Sequence, residues 1–202
     1  YNGTEQSLPI SGTLPSGVTV SYTDNAKTDA GTYTATAHFS GDATNYEAIA
    51  DKTATFIISK AVLTATVGDH ARTYGAANPE FPVSVLGFVN GETASTADSY
   101  VAPTASTSAT TSTAVGTATI TISGGSATNY SFNTSDTGTL TINKATYDMS
   151  AVSFTGKTVT YNGTEQSLPI SGTLPSGVTV SYTDNAKTDA GTYTATAHFS
   201  GD

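Results

Sequence analysis

Residues Tyr1 to Asp42 recur without a change as Tyr161 to Asp202, at a spacing of 160 residues. Identity over so long a stretch does not arise by convergence. It marks a tandem array, in which each repeated unit buries its own apolar face or that of a neighbour. A second, diverged repeat lies inside the first. Ala43-Thr44-Asn45-Tyr46 corresponds to Ala127-Thr128-Asn129-Tyr130, and Thr55-Phe56-Ile57-Ile58-Ser59-Lys60-Ala61 to Thr139-Leu140-Thr141-Ile142-Asn143-Lys144-Ala145, both at an offset of 84. Each period therefore holds two related modules, a type A of about 76 residues and a type B of about 84, both just above the size at which a domain supports its own core. The boundaries fall at 1–60 (type A without its N-terminal strand), 61–144 (a complete type B) and 145–202 (type A without its C-terminal strand).

Alternation of side chains sets the fold class. Val18, Val20 and Tyr22 alternate with Thr19 and Ser21, and Tyr33, Ala35, Ala37 and Phe39 with Thr34, Thr36 and His38. Leu63, Ala65 and Val67 alternate with Thr64 and Thr66, and further runs lie at Thr55–Ile58, Phe81–Val85, Ala118–Ile122 and Gly138–Ile142. Period two places one row inward and a threonine row in water. Asn2-Gly3, Pro15-Ser16-Gly17, Asp29-Ala30-Gly31, Asn90-Gly91 and Gly124-Gly125 read as the turns between runs. Short strands at this spacing indicate an all-β chain of small β-sandwich modules in a linear array, with almost no helix. Thr104–Thr113 carries no apolar anchor and reads as a long loop or a weak edge strand.

Composition narrows function. Lys+Arg number 7 against Asp+Glu 16, a formal net charge of -9, which leaves no basic face for phosphates, so nucleic-acid binding is excluded. The sequence has no apolar run of membrane-spanning length, and membrane insertion is not expected. Zero Cys excludes disulfides, thiolate metal sites and a Cys nucleophile. Charged residues are only 11%, and Ser and Thr, about a third of the chain, fill the difference.

Few residues are arranged for chemistry. Asp24, Asn25 and Asp29 lie within one oxygen-rich loop and are the weak calcium candidates, although Lys27 stands among them and the spacing is not that of an EF-hand. Asp and Asn are also ordinary turn residues. His38 and its repeat His198 fall on the outward row of a strand, and His70 in a strand-end loop without a second His nearby. Lys60 and Lys144 sit at module junctions and are read as caps of a strand edge. With no nucleophile elbow and no paired carboxylates, neither catalysis nor a cofactor is expected.

Thr73-Tyr74-Gly75, Asn78-Pro79-Glu80-Phe81, Gly87-Phe88-Val89-Asn90-Gly91-Glu92 and the closing Asn129-Tyr130 resemble the YGX-type MBG repeat. Type A, with Tyr161-Asn162-Gly163-Thr164 and Ala190-Gly191-Thr192-Tyr193, resembles the companion MBG type. The resemblance implies tandem Ig-like modules in long secreted or cell-surface proteins of bacteria that serve as stalks, adhesin shafts or fibres. It also implies that Tyr74, Gly75, Asn78, Pro79, Phe81, Phe88, Asn90, Gly91, Asn129 and Tyr130, with Asn45 and Tyr46 in type A, are a structural signature. The tract Ala102–Ala114 departs from the family in its scarcity of apolar residues.

A spacer or filament role follows, with neighbouring modules of the array as partners and other copies of the chain in a filament as a further set. The alternative is an adhesive module that binds a surface glycan or protein through Tyr74, Phe88 and Tyr100. The junctions Ser59-Lys60-Ala61-Val62 and Asn143-Lys144-Ala145-Thr146 lack Pro and Gly, so one strand is expected to feed the next module directly. The terminal type A fragments are expected to expose unpaired edges. Strand exchange between chains would cover them but would leave the 42-residue duplicate over, which favours a segment of a longer continuous array.

Overall fold

The computed structural model describes residues 1–201, and they are all-β, with twelve strands and no helix among them. The strands are β1 (Thr19–Thr23), β2 (Gly31–Ser40), β3 (Lys52–Ile58), β4 (Ala61–Val67), β5 (His70–Thr73), β6 (Val83–Leu86), β7 (Val101–Thr107), β8 (Gly116–Ser126), β9 (Tyr130–Asn133), β10 (Thr137–Asn143), β11 (Thr179–Thr183) and β12 (Thr196–Ser200). They fall into two compact units, one of Tyr1–Lys144 and one that begins at Ala145. Asp202 lies outside the described residues.

The core of the first unit sits in its second half. There β5-β10-β8-β7 form one sheet and β6-β4-β9 another. Leu63, Ala65 and Val67 are buried along β4 while the threonines between them are exposed, as period-two alternation requires. Ala65 and Val67 meet Ile120, Ile122, Leu140 and Ile142 of the facing sheet, with Ala109 closing one side. A second cluster joins Leu63, Ala97, Ala127 and Tyr130, with Phe88, Tyr100 and Phe132 packed on it. Two strand pairs are parallel, β4 with β9 and β10 with β5, and the rest are antiparallel. In the first half, β1, β2 and β3 form an antiparallel sheet that buries only Ala35, Ala37 and Ile58.

Three local expectations are corrected. Gly124-Gly125 makes no turn; both lie inside β8 at positive φ, and a Cβ on Gly125 would meet the Phe132 ring at 2.8 Å. The aromatic ring lies across the strand there, and only glycine leaves room for it. His70 is not in a loop but opens β5, edge-on to Phe81 at 5.3 Å. The run at Phe81–Val85 starts two residues later as a strand, and Phe81 packs on the core from the loop before it.

The Ser/Thr/Ala tract resolves into two parts. Through Thr107 it is β7, an edge strand paired only with β8. Beyond that, the loop is held by a buried Arg72. Its guanidinium donates to Asn78 Oδ1 at 2.7 Å and to the carbonyls of Thr73 and Thr110, and Asn78 Nδ2 donates to the Ala109 carbonyl at 2.7 Å. Polar anchoring thus does what apolar side chains do elsewhere.

The second unit has a two-stranded sheet, β11-β12, and the segment from Ala145 lies along it. Ser153 pairs with Ser171, and Phe154 lies 5.8 Å from Tyr182.

Candidate functional site

The most densely bonded polar cluster of the first unit is the place where its two halves meet. Only Ser59 and Lys60 separate the end of β3 from the start of β4. Lys60 Nζ donates to the Ala127 carbonyl at 2.9 Å and the Ala61 amide to the Asn129 carbonyl at 3.0 Å, which tie the connection to the body of the second half. Asn129, itself buried, reaches back across the joint. Its Nδ2 donates to Asp29 Oδ1 at 2.9 Å, and its Oδ1 accepts the Ala30 amide at 2.7 Å. Both ends of one amide are therefore spent on the turn that precedes β2, the geometry a buried Asn needs in order not to cost stability.

Tyr1 makes the second clasp. Its main-chain nitrogen donates to the Ser59 carbonyl, and its ring stands edge-on to Tyr130 with centroids 5.5 Å apart. The Tyr1 hydroxyl donates to one carboxylate oxygen of Glu92, and the Tyr130 hydroxyl donates to the other at 2.6 Å. One carboxylate thus bridges tyrosines from the two halves. The hydrogen bond to Glu92, with burial and the nearby charge adding to it, pushes the Tyr1 phenol up to about 12. Burial, then the same bond, raises that of Tyr130. Both phenols therefore stay protonated donors at neutral pH. A third link runs from Asn90 Nδ2 to the Gly3 carbonyl at 2.8 Å.

The weak calcium candidates are engaged separately. Asp24 pairs with Lys27 at 2.9 Å, Asn25 is buried with its amide clasping both backbone groups of Leu8, and Asp29 accepts from Asn129. No group of three or more His, Asp or Glu side chains able to hold a metal occurs among the described residues. His38 bonds Asp51 at 2.7 Å and Thr23 at 2.8 Å.

The repeat-signature residues divide by place. Phe88 and Tyr130 belong to the second core cluster, Phe81 packs on the first, and Asn78 braces Arg72. Pro79 is half-buried beside it. Gly75, Asn90 and Gly91 take positive φ in turns. Tyr74 is exposed, and its amide donates to the Asn143 carbonyl at 2.8 Å. Of the residues considered for surface binding, Phe88 and Tyr100 pack in the core cluster, 5.7 Å apart. Asn45 and Tyr46 are exposed, whereas their counterparts Asn129 and Tyr130 are buried.

Sequence reasoning missed Tyr1, Glu92 and Arg72. Glu92 stands within the Gly87–Glu92 motif, and Tyr1 is the residue ahead of the Asn-Gly turn that recurs as Tyr161. Their pairing joins positions 91 apart, which no local pattern reports.

Residues 63–141 match the family model of the MBG domain (YGX type). The match covers the body of the second half, including Arg72, Asn78, Glu92, Asn129 and Tyr130. No curated protein and no solved structure matches the chain.

Proposed function

With residues 63–141 an MBG module, and MBG domains typical of bacterial surface proteins, we propose that this chain is a spacer segment of an extracellular stalk, adhesin shaft or fibre. The observation that carries the reading is the two-residue connection between β3 and β4, braced by Asn129, Lys60 and the Tyr1–Glu92–Tyr130 bridge. A flexible tether between domains needs a solvated linker, commonly rich in Gly, Ser or Pro. Here the connecting backbone is bonded on both sides, and the same Lys-Ala sequence recurs at Lys144-Ala145. A chain built this way grows in length with each repeat. Threonine rows keep its faces hydrated, and the net charge of -9 opposes lateral clumping.

The test is small-angle scattering from one, two and four 160-residue periods. A rod of such modules should lengthen in proportion to period number, by roughly 60–80 Å per period if each of its two modules adds the length of one strand of about 8–10 residues plus its loops. Growth nearer the square root of period number, as for a flexible string, would overturn the reading.

A further inference from the structure

Three Asn-Gly pairs occur in the chain, Asn2-Gly3, Asn90-Gly91 and Asn162-Gly163. Asparagine is a thermolabile residue, and a following glycine makes its self-reaction easiest, because no side chain crowds the next main-chain nitrogen. That nitrogen attacks the carbon of the Asn side-chain amide and closes a cyclic imide. The structure gives the three pairs unequal freedom to do so.

Asn2 and Asn162 are held. Oδ1 of Asn2 accepts the Thr4 amide at 3.0 Å, the Thr4 hydroxyl at 2.9 Å and Gln6 Nε2 at 3.1 Å. Oδ1 of Asn162 accepts the same groups of Thr164 and Gln166, at 3.0, 2.8 and 3.3 Å. Such a turn fixes the side-chain amide toward the residue two positions on, so its carbon does not swing onto the glycine nitrogen.

Asn90 has a different setting. The Glu92 amide closes a turn on the Val89 carbonyl at 3.0 Å, with φ of 51° at Asn90 and 73° at Gly91. Positive φ at both central residues is the type I′ geometry. Among the described residues Asn90 Oδ1 accepts no hydrogen bond and the Gly91 amide donates none. A Cβ on Gly91 would meet nothing within 4 Å, so the space around the attacking nitrogen is open. The one bond of the Asn90 side chain runs across the joint, from Nδ2 to the Gly3 carbonyl at 2.8 Å.

We propose that Asn90-Gly91 is a self-modification site whose product unfastens the joint between the two halves of the first unit. The Gly91 nitrogen gives up its proton to water or hydroxide and bonds to Asn90 Cγ. The Cγ–Nδ2 bond breaks, and Nδ2 takes up a proton and leaves as ammonia. Water then opens the imide at either carbonyl, which leaves aspartate or its β-linked isomer, isoaspartate. Nothing is oxidised or reduced, and water is the sole co-reactant. Either product puts a carboxylate where a donor stood, so the Gly3 carbonyl loses its partner and faces a second acceptor. The two turns are packed closely, since a Cβ on Gly3 would collide with that of Asn90, and the repulsion acts at contact distance. Isoaspartate also adds a methylene to the main chain just ahead of Glu92, whose carboxylate receives the Tyr1 and Tyr130 hydroxyls. This inference is independent of the stalk reading, since scattering tests extension and not covalent change.

Two measurements on the full chain decide it. The chain is held at mildly alkaline pH, digested, and mapped by mass spectrometry for the gain that accompanies exchange of an amide for an acid. The Asn90 peptide should gain it several-fold faster than the Asn2 and Asn162 peptides, and Gly91→Ala should bring its rate down to theirs by crowding the attacking nitrogen. Asn90→Asp sets one product in place at once. It should speed amide exchange at Ala30 and Ala61, which donate to Asn129 at the joint, by about fivefold, the loss of one net hydrogen bond. The Tyr74 amide, bonded to Asn143 outside the joint, should keep its rate. An Asn90 peptide modified no faster than the other two, a G91A chain that keeps the original rate, or unchanged Ala30 exchange in N90D would overturn the proposal.

Discussion

Residues 1–41 and 161–201 have the same sequence and do not have the same structure. What they share is local. β1–β2 and β11–β12 pair in the same register, with Tyr22 against Ala37 and Tyr182 against Ala197. Asn25 and Asn185 clasp Leu8 and Leu168, and Gln6 and Gln166 bridge to Lys27 and Lys187. Lys27 and Lys187 both stand 5.3 Å over a tyrosine ring. What differs needs a distant partner. β2 has ten residues and β12 five; among the described residues only β2 has a second neighbour, β3, which pairs with it from Gly31 to Ala37. Ala35 and Ala37 are buried while Ala195 and Ala197 are only partly so, and Tyr161 is 62% exposed whereas Tyr1 packs against Tyr130. Conversely, Tyr182 is better covered than Tyr22, because Phe154 reaches it. The hairpin is encoded within its own residues; the outer strand half is lent by whatever pairs with it.

The largest test of that comparison is Ile58→Ala. Loss of a buried isoleucine typically costs about 2–5 kcal/mol, and here it should destabilise the first unit alone. Amide exchange at Gly31–Ala35 should then quicken toward the rates of Gly191–Ala195, and a uniform effect on both copies would break the argument. A glycine pair comes next. Gly12 and Gly172 both have φ near +90°, yet a Cβ on Gly12 meets nothing within 4 Å while one on Gly172 would collide with the Ala151 carbonyl. G12A should cost about 1–2 kcal/mol from backbone strain, and G172A distinctly more, as thermal unfolding of the two variants would show. Equal losses would mean that the Ala145–Thr160 segment does not hold its place.

The smallest effect belongs to the bridge. Tyr1→Phe removes one hydrogen bond to Glu92, worth about 1 kcal/mol, while Tyr161→Phe should leave stability unchanged. The same clasp has a pH signature. The folded-state pKa of Tyr1 is raised from 10.0 to about 12, so its contribution is complete below pH 10 and fades as pH climbs through the folded value. A spectroscopic titration should show two tyrosines that ionise late in the native chain, Tyr1 and Tyr130, of which Y1F removes one. A Y1F curve that superimposes on that of the unaltered chain would remove the bridge from the account.

Legibility tracked range. The strands of the second half could be read from Leu63, Ala65 and Val67 and from Leu140 and Ile142, because a two-residue period in a half-buried sheet is a property of neighbours in sequence. The Gly124-Gly125 pair misled, since glycine's positive φ serves a turn and a ring crossing alike, and only the position of Phe132 tells them apart. Asp29 looked like a cation ligand because a carboxylate in a loop carries no label; its partner is Asn129, 100 residues on. Glu92 lay inside the repeat motif, but its meaning depends on Tyr1 and Tyr130 arriving from opposite sides.

From its own letters the chain determined that it is a repeat, that its modules are all-β, which rows face inward and that the β1–β2 hairpin recurs as β11–β12. Those properties are set by chain connectivity, side-chain alternation and turn chemistry, which act over a few residues. Tertiary structure alone decided how far an identical strand extends, where Arg72 finds its acceptors and that one carboxylate joins two modules. Hydrogen-bond partners and buried area exist only once distant segments meet, so the same 41 described residues take one form beside β3 and another without it.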